Sequence, residues 1–317
     1  MKKIKDSIQS IKAFAPATCA NVAVGFDILG FAVDSIGDYV TLTKRDDQKI
    51  IIESIDSQQS LPFTSDKNTA SVVLQKFCHD LDLEHGFSVH IKKGIPLCSG
   101  MGGSAASAVA ALVACNAFLY LPLPLSDLAR FALLGEEVAS GEAHADNIIP
   151  CLFGGLTLIQ SQQPMKILNL PIPDLYCVLI HPHLQVSTRE ARKTLHKELS
   201  LASHVQQSAY LASFIAALYE QDYSLLKQAM NDVIIEAQRA QFVPKFYEIK
   251  ESAMRAGALG MSFSGSGPSL FAFARTTVKA KEISQAMQLC LQKNNIHSDC
   301  WISAINKNGA RVVEEIL

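Results

Sequence analysis

The segment Gly94-Ile-Pro-Leu-Cys-Ser-Gly-Met-Gly-Gly-Ser-Ala-Ala-Ser107 places glycines and small residues between two apolar stretches. Its pattern predicts a strand, a glycine-rich loop and then a helix of small residues. Glycine lets backbone approach an anion closely, and the N–H groups of a helix's first turn point at that anion with the dipole behind them. Phosphate binding is the chemistry such a segment supports; a tight connection packing a buried helix would use the same residues. A Walker loop needs Gly-Lys-Ser or Gly-Lys-Thr, and no lysine lies between Gly94 and Ser126. Gly100-Met-Gly-Gly-Ser-Ala105 fits a G-x-G-x-x-A string, but a dinucleotide site wants the first glycine at the strand's end and an acid about 20 residues on. Here Gly94–Ser99 intervenes and no acid occurs before Asp127, so that reading falls.

A second cluster is Gly135-Glu-Glu-Val-Ala-Ser-Gly-Glu-Ala-His-Ala-Asp-Asn147. At about 100° per residue, Leu128, Phe131, Ala132, Gly135 and Ala139 share one helix face. Glu137 lies opposite, with Arg130, as a solvated charge. Glu136 falls on the border of the buried face, where either a magnesium ion or an ion pair would give a carboxylate its reason. His144-Ala-Asp146 has no second histidine at ligand spacing, which argues against zinc. Asn21 and Asp27 sit among the apolar residues of Pro16–Gly30, and buried polar groups need backbone or ligand partners. Ser262-Phe-Ser-Gly-Ser-Gly-Pro-Ser-Leu270 alone reads as a hairpin turn.

The elements that must position these residues belong to a chain of 317 residues, 49% apolar and 18% charged, a globular composition. A net charge of −2 gives no phosphate-neutralising footprint, so nucleic acid is not an expected partner. Gly94–Ser126 carries no charge, yet its glycines, alanines, Asn116, Pro122 and Pro124 suit a buried helix better than a membrane span. The N-terminus lacks the apolar core of a signal peptide. Eight cysteines without a CxxC pair point to reduced, buried thiols in a cytoplasmic protein. Strands are predicted at 39–44 and 49–54, joined by a polar turn at Asp46–Asp47, and at 87–91, 176–181, 261–264, 270–274 and 301–305. Helices are predicted at 68–81, 104–119, 126–139, 201–220, 223–241, 245–256 and 280–293, with another opened by a Ser187/Glu190 capping box. Both halves are α+β. The Gln- and Pro-rich stretch 160–174 is the expected seam, giving domains 1–162 and 163–317.

In this order, the four segments resemble the GHMP kinases, small-molecule ATP kinases, and within them the homoserine kinase branch. Asn21–Gly30 (NVAVGFDILG) is similar to that branch's opening motif. Ser140–Gly155 (SGEAHADNIIPCLFGG) is similar to its most specific segment, and Thr188–Arg192 and Gly265–Gly267 extend the likeness across nearly the whole chain. The resemblance implies a first half like ribosomal protein S5 domain 2, a ferredoxin-like second half, and a homodimer as a common assembly. It implies ATP and Mg2+, with L-homoserine as substrate. The nucleotide would lie on Pro96, Leu97, Cys98, Ser99, Gly100, Met101, Gly102, Gly103, Ser104, Ala105, Ala106 and Ser107, with Asn68 and Thr69 near the base. Ser104 and Glu136 would hold Mg2+. Arg192 and Arg239 would clamp a carboxylate, Asp27 an ammonium, with Asn21, His144 and Thr188 nearby. Gly103 departs from the family, which more often has the first of two serines there. Several family members carry an aspartate eleven positions after the magnesium glutamate; here that position is Asn147, which has no basic site. Transfer without a carboxylate base is therefore expected, with Asn147 positioning the hydroxyl and Asp146 pointing elsewhere. Two rivals stand beside this reading: a GHMP kinase for mevalonate-type or sugar alcohols, and a non-catalytic sensor on the same fold.

Overall fold

The computed structural model describes residues 3–141 and 144–317. In chain order the first half holds β1 (Ser10–Ala20), β2 (Leu29–Arg45), β3 (Ile50–Asp56), α1 (Thr69–Asp80), β4 (Gly86–Lys92), α2 (Gly103–Phe118), α3 (Leu125–Ser140), α4 (Ala145–Phe153), β5 (Leu156–Gln162) and β6 (Met165–Leu170). There follow β7 (Tyr176–Pro182), α5 (Thr188–Lys193), α6 (Leu201–Glu220), α7 (Tyr223–Ala229), α8 (Glu236–Arg239), α9 (Phe246–Arg255), β8 (Gly260–Phe263), β9 (Leu270–Ala274), α10 (Thr277–Lys293), β10 (Ser298–Ala304) and β11 (Arg311–Ile316). The first sheet runs β11-β1-β2-β4-β3, with β5 pairing β2 and β6 pairing β5. Its helices pack around α2, which is buried along most of its length, as expected of a charge-free helix of alanines. No helix among the described residues is long and apolar enough to cross a membrane.

The second sheet, β10-β7-β9-β8, is antiparallel. Its strands are apolar on both faces because both faces are covered. In β9, Phe271 and Phe273 face the first half while Leu270, Ala272 and Ala274 face the packing of α9 and α10. Side chains alternate across a strand, so the apolar run itself implies two partners. The α+β expectation holds for both halves.

Several elements differ from expectation. The strands around Asp46–Asp47 are not neighbours, since β4 lies between β2 and β3. The expected boundary at 162/163 falls in the turn of the β5–β6 hairpin: the first sheet continues to Leu170 and takes β11 back beside β1. The helix expected over 223–241 stops at Ala229. Asp232 takes the N–H groups of Ile234, Ile235 and Glu236 at 2.9 Å each, recapping the chain for α8. Helix α3 starts one residue earlier than expected, at Leu125 after Pro124, so Ser126 and Asp127 both lie in its first turn.

Candidate active site

The loop before α2 is bent by positive φ at Cys98 (53°), Gly100 (77°) and Gly102 (69°). Alternating handedness curls successive amides to one side, the geometry of an anion nest. Gly100 permits close approach, since a Cβ there would lie 2.5 Å from the Ser264 carbonyl oxygen. At Gly102, which caps α2 without a side chain, a Cβ would run into the Thr18 hydroxyl. No acid stands in the first turn of α2, so the positive helix end is left for an anion. Ser99 and Met101 turn inward and are buried, with Ser99 Oγ lacking a partner; against the expectation of buried thiols, Cys98 is exposed and Cys78, Cys290 and Cys300 are half-buried. Pro96, Leu97, Gly103 and Ser104 are half-buried at the opening, whereas Ala105 and Ala106 are core residues.

The loop is tied down by a buried ion pair that the sequence reading missed. Lys93 contacts the Asp38 carboxylate and donates to the Gly103 carbonyl (2.8 Å) and the Ser107 hydroxyl (2.9 Å). Asp38 also accepts from the N–H of Gly94 (3.0 Å) and Ile95 (3.1 Å) and from Ser107 Oγ (2.9 Å). Ser107 is thereby spent on structure. A Cβ on Gly103 would sit 3.3 Å from Ile95 and 3.5 Å from Lys93 Nζ, so the missing serine faces this cation. Asn68, expected near the base, caps α1 through Oδ1 and donates Nδ2 to the Pro62 carbonyl; it is 5% exposed and sets the start of a helix. Thr69 Oγ1 donates to the Ser104 carbonyl at 3.3 Å.

Glu136 is 7% exposed and Glu137 is at the surface, as the helical phase requires. Ser104 Oγ donates to Glu136 Oε2 at 3.0 Å, so the two residues expected at the metal meet at the head of α2. Two hard oxygen donors beside an anion nest fit magnesium, which takes few protein ligands and completes its shell with phosphate and water. Among the described residues no group of three His, Cys, Asp or Glu forms a dedicated metal cage. Asn147 Oδ1 accepts from the Thr18 hydroxyl at 2.7 Å and lies beside Gly102. Asp146 is buried within reach of the site's charges, and its carboxyl is pushed up to about 7, first by burial and then by the charges of Asp27 and Glu136, with Arg192 and Arg239 pulling the other way.

Across the cleft, Arg192 from α5 donates NH1 and NH2 to the two oxygens of Asp27 at 2.9 and 2.8 Å. Arg239, from α8, is 3% exposed and donates to the Gly265 carbonyl at 2.7 Å, leaving its Nε buried without a partner. Burial, then the Arg192 charge, brings the Arg239 guanidinium down to about 10. Asn21 spends its amide on the Gly265 carbonyl (2.9 Å) and the Asp27 N–H (3.0 Å), which makes it the holder of Asp27. Thr188 is exposed, its hydroxyl 3.2 Å from that of Ser266. His144 precedes α4 as its extended N-cap residue. The glycine segment, read alone as a hairpin, joins the halves: Ser264 Oγ donates to the Gly100 carbonyl (2.8 Å) and Ser269 N–H to that of Ser99 (3.1 Å).

Comparison with known proteins finds relatives over nearly the whole chain. Residues 68–155 match the GHMP kinases N terminal domain and residues 214–292 the GHMP kinases C terminal. The chain is 42% identical over 319 residues to a homoserine kinase of Chloroherpeton thalassium, covering 96% of this chain and all of that one. It is 41% identical over 304 residues to the homoserine kinase of Xylella fastidiosa strain M12, covering 95% and 94%. The crystal structure of homoserine kinase from Cytophaga hutchinsonii superposes with a TM-score of 0.94 at 42% identity, over 98% of this chain and 99% of that one. The L. major mevalonate kinase complex with R-mevalonate, 16% identical with a TM-score of 0.73, shares the fold. The nest, the Ser104–Glu136 pair and these likenesses together identify the chain as a member of the GHMP kinase family, on its homoserine kinase branch.

Proposed function

We propose that the protein transfers the γ-phosphoryl group of ATP to the side-chain hydroxyl of L-homoserine, giving O-phospho-L-homoserine and ADP. The observation that carries this reading is the pair of guanidiniums facing a carboxylate beside the phosphate nest, with Arg239 Nε buried and unpartnered. A buried donor without an acceptor is costly, and a ligand carboxylate would satisfy it. Asp27 offers the matching anion for an ammonium. The nest and the first turn of α2 hold the triphosphate, and Ser104 with Glu136 would hold Mg2+, which neutralises phosphate charge when bound. In the transfer, the hydroxyl oxygen forms a bond to the γ-phosphorus while the bond to the bridging β–γ oxygen breaks. Asn147 offers a neutral amide to the hydroxyl; with no carboxylate base, the nucleophile's proton passes late to an oxygen of the transferred phosphoryl group and on to solvent, and positioning carries the rate. An assay of homoserine, mevalonate and galactose with MgATP tests the proposal. Turnover of homoserine is expected; turnover of another alcohol with none of homoserine would overturn it.

A further inference from the structure

Between β1 and β2 the chain makes a turn in which Asn21, Val22, Ala23 and Asp27 all take positive φ, at 71°, 43°, 60° and 61°. Side-chain-bearing residues rarely adopt that region, and a β-branched valine least of all. The turn is held by Asn21 N–H to the Leu29 carbonyl (2.7 Å), Gly25 N–H to the Asn21 carbonyl (2.9 Å), and the two amide bonds of Asn21 already described. Its product is the placement of two successive side chains, Phe26 and Asp27, against arginines from distant parts of the chain. Asp27 takes the donor edge of Arg192. Phe26, half-buried, takes a different surface: the Arg192 Cζ lies 5.3 Å from its ring centroid and the Arg239 Cζ 5.2 Å.

We propose that Phe26 is a specificity-determining positioning residue, its ring holding Arg192 and Arg239 together as one clamp for the substrate carboxylate. The inference rests on the homoserine reading above. Two guanidiniums brought to one spot repel each other, and the electron-rich face of an aromatic ring offsets that repulsion without consuming a hydrogen-bond donor. A guanidinium has donors along its edge and none on its face, so edge and face contacts are independent. When Asp27 turns to the substrate's ammonium, Arg192 gives up that ion pair, while its contact with the Phe26 ring is unchanged. The ring therefore maintains the clamp through the exchange of partners. An aliphatic side chain would fill the same space without that attraction.

Steady-state kinetics on the wild type and on Phe26→Leu, Phe26→Met and Phe26→Tyr test this. Homoserine turnover by the wild type is measured first: its absence would remove the functional reading, whereas a normal wild type with unaltered variants would remove this inference alone. Both aliphatic variants should raise the homoserine KM about tenfold, with kcat and the ATP KM within about twofold, as the loss of a partly desolvated cation–ring contact predicts. Phe26→Tyr, which keeps the ring, should stay within about threefold of the wild type. Two aliphatic variants guard against one failing to fold, and thermal melts report which of them does. An equal rise in both KM values would overturn the proposal, as would an unchanged homoserine KM in either aliphatic variant. So would Phe26→Tyr behaving like the aliphatic pair.

Discussion

Glu136 and Glu137 are adjacent on α3, and their surroundings are opposite: one is 7% exposed and bonded to the Ser104 hydroxyl, the other is at the surface. Glu136→Gln should therefore lower kcat by a hundredfold or more, roughly the several kcal/mol that a metal-bound carboxylate supplies to transition-state charge stabilisation. Glu137→Gln should stay near the wild type, because exposed pairs contribute about 0–1 kcal/mol. Equal losses would show that the phase of α3 does not govern function. Asp146 gives a pH-dependent prediction. Its carboxyl titrates near 7 in the folded protein and at the usual 3.8 when unfolded, so the native state holds a proton that the unfolded state has released. The stability contributed is complete below the unfolded value and is lost as pH rises through about 7. Ligand-free Asp146→Asn should melt above the wild type at pH 8, with the advantage shrinking as pH falls towards 4; a difference independent of pH would refute the assignment. The sequence carries no sign that Asp146, beside Asn147, is buried among the charges of the site. Successive helical residues are only about 100° apart, and both can face a wide cleft at a first turn. Phe26 and Lys93 are not legible in the sequence either, since single aromatic or basic residues carry no spacing signal.

At the scale of elements, the phosphate loop is fixed from below by Lys93 and Asp38, side chains 5% and 0% exposed that link β2, the end of β4 and the head of α2. Breaking a buried pair from one side strands a charge and costs about 3–5 kcal/mol. Lys93→Met should lower the melting temperature, and it should raise the ATP KM more than the homoserine KM, because the Gly103 carbonyl loses its donor and Asp38, which holds Gly94, keeps an uncompensated charge, while the arginine clamp is untouched. Parallel changes in the two KM values would mean that the pair supports the fold in general. The helices legible in the sequence share a clear period, and α3, α6 and α9 lie within a few residues of expectation; β8 and β9 are legible as short apolar runs on either side of a glycine-rich turn. The elements that were not legible lack such a signal. Strand β1 is buried on both faces with small residues and so shows no alternation, and β11 mixes Arg311, Glu314 and Glu315 at an exposed edge. The break after α7 came from a side chain, Asp232, satisfying backbone at a point where the apolar pattern ran on.

At the scale of the molecule, the expected two-domain division understates how far the halves depend on each other. The last strand of the chain closes the first sheet against β1, and the opposite end of β1 meets both the phosphate loop, through Thr18 N–H to the Met101 carbonyl (3.1 Å), and the second half, through Gly265 N–H to the Ala20 carbonyl (3.2 Å). Between the sheets, the Phe31 ring lies 5.5 Å from that of Phe271 and 5.2 Å from that of Phe273, all three fully buried. A seam that is apolar and continuous with the core ties the unfolding of one half to that of the other. The wild type should accordingly melt in one calorimetric transition. Phe31→Ala, which opens a cavity on the seam and touches neither the nest nor the clamp, should cost about 3–5 kcal/mol and lower that transition as a whole. Nucleotide analogue should still raise the melting point of the variant, since binding to the native state stabilises every part that unfolds with it. Two separate transitions, with only the earlier or later one responding to nucleotide, would show that the halves fold independently and that the site is assembled after folding by docking alone.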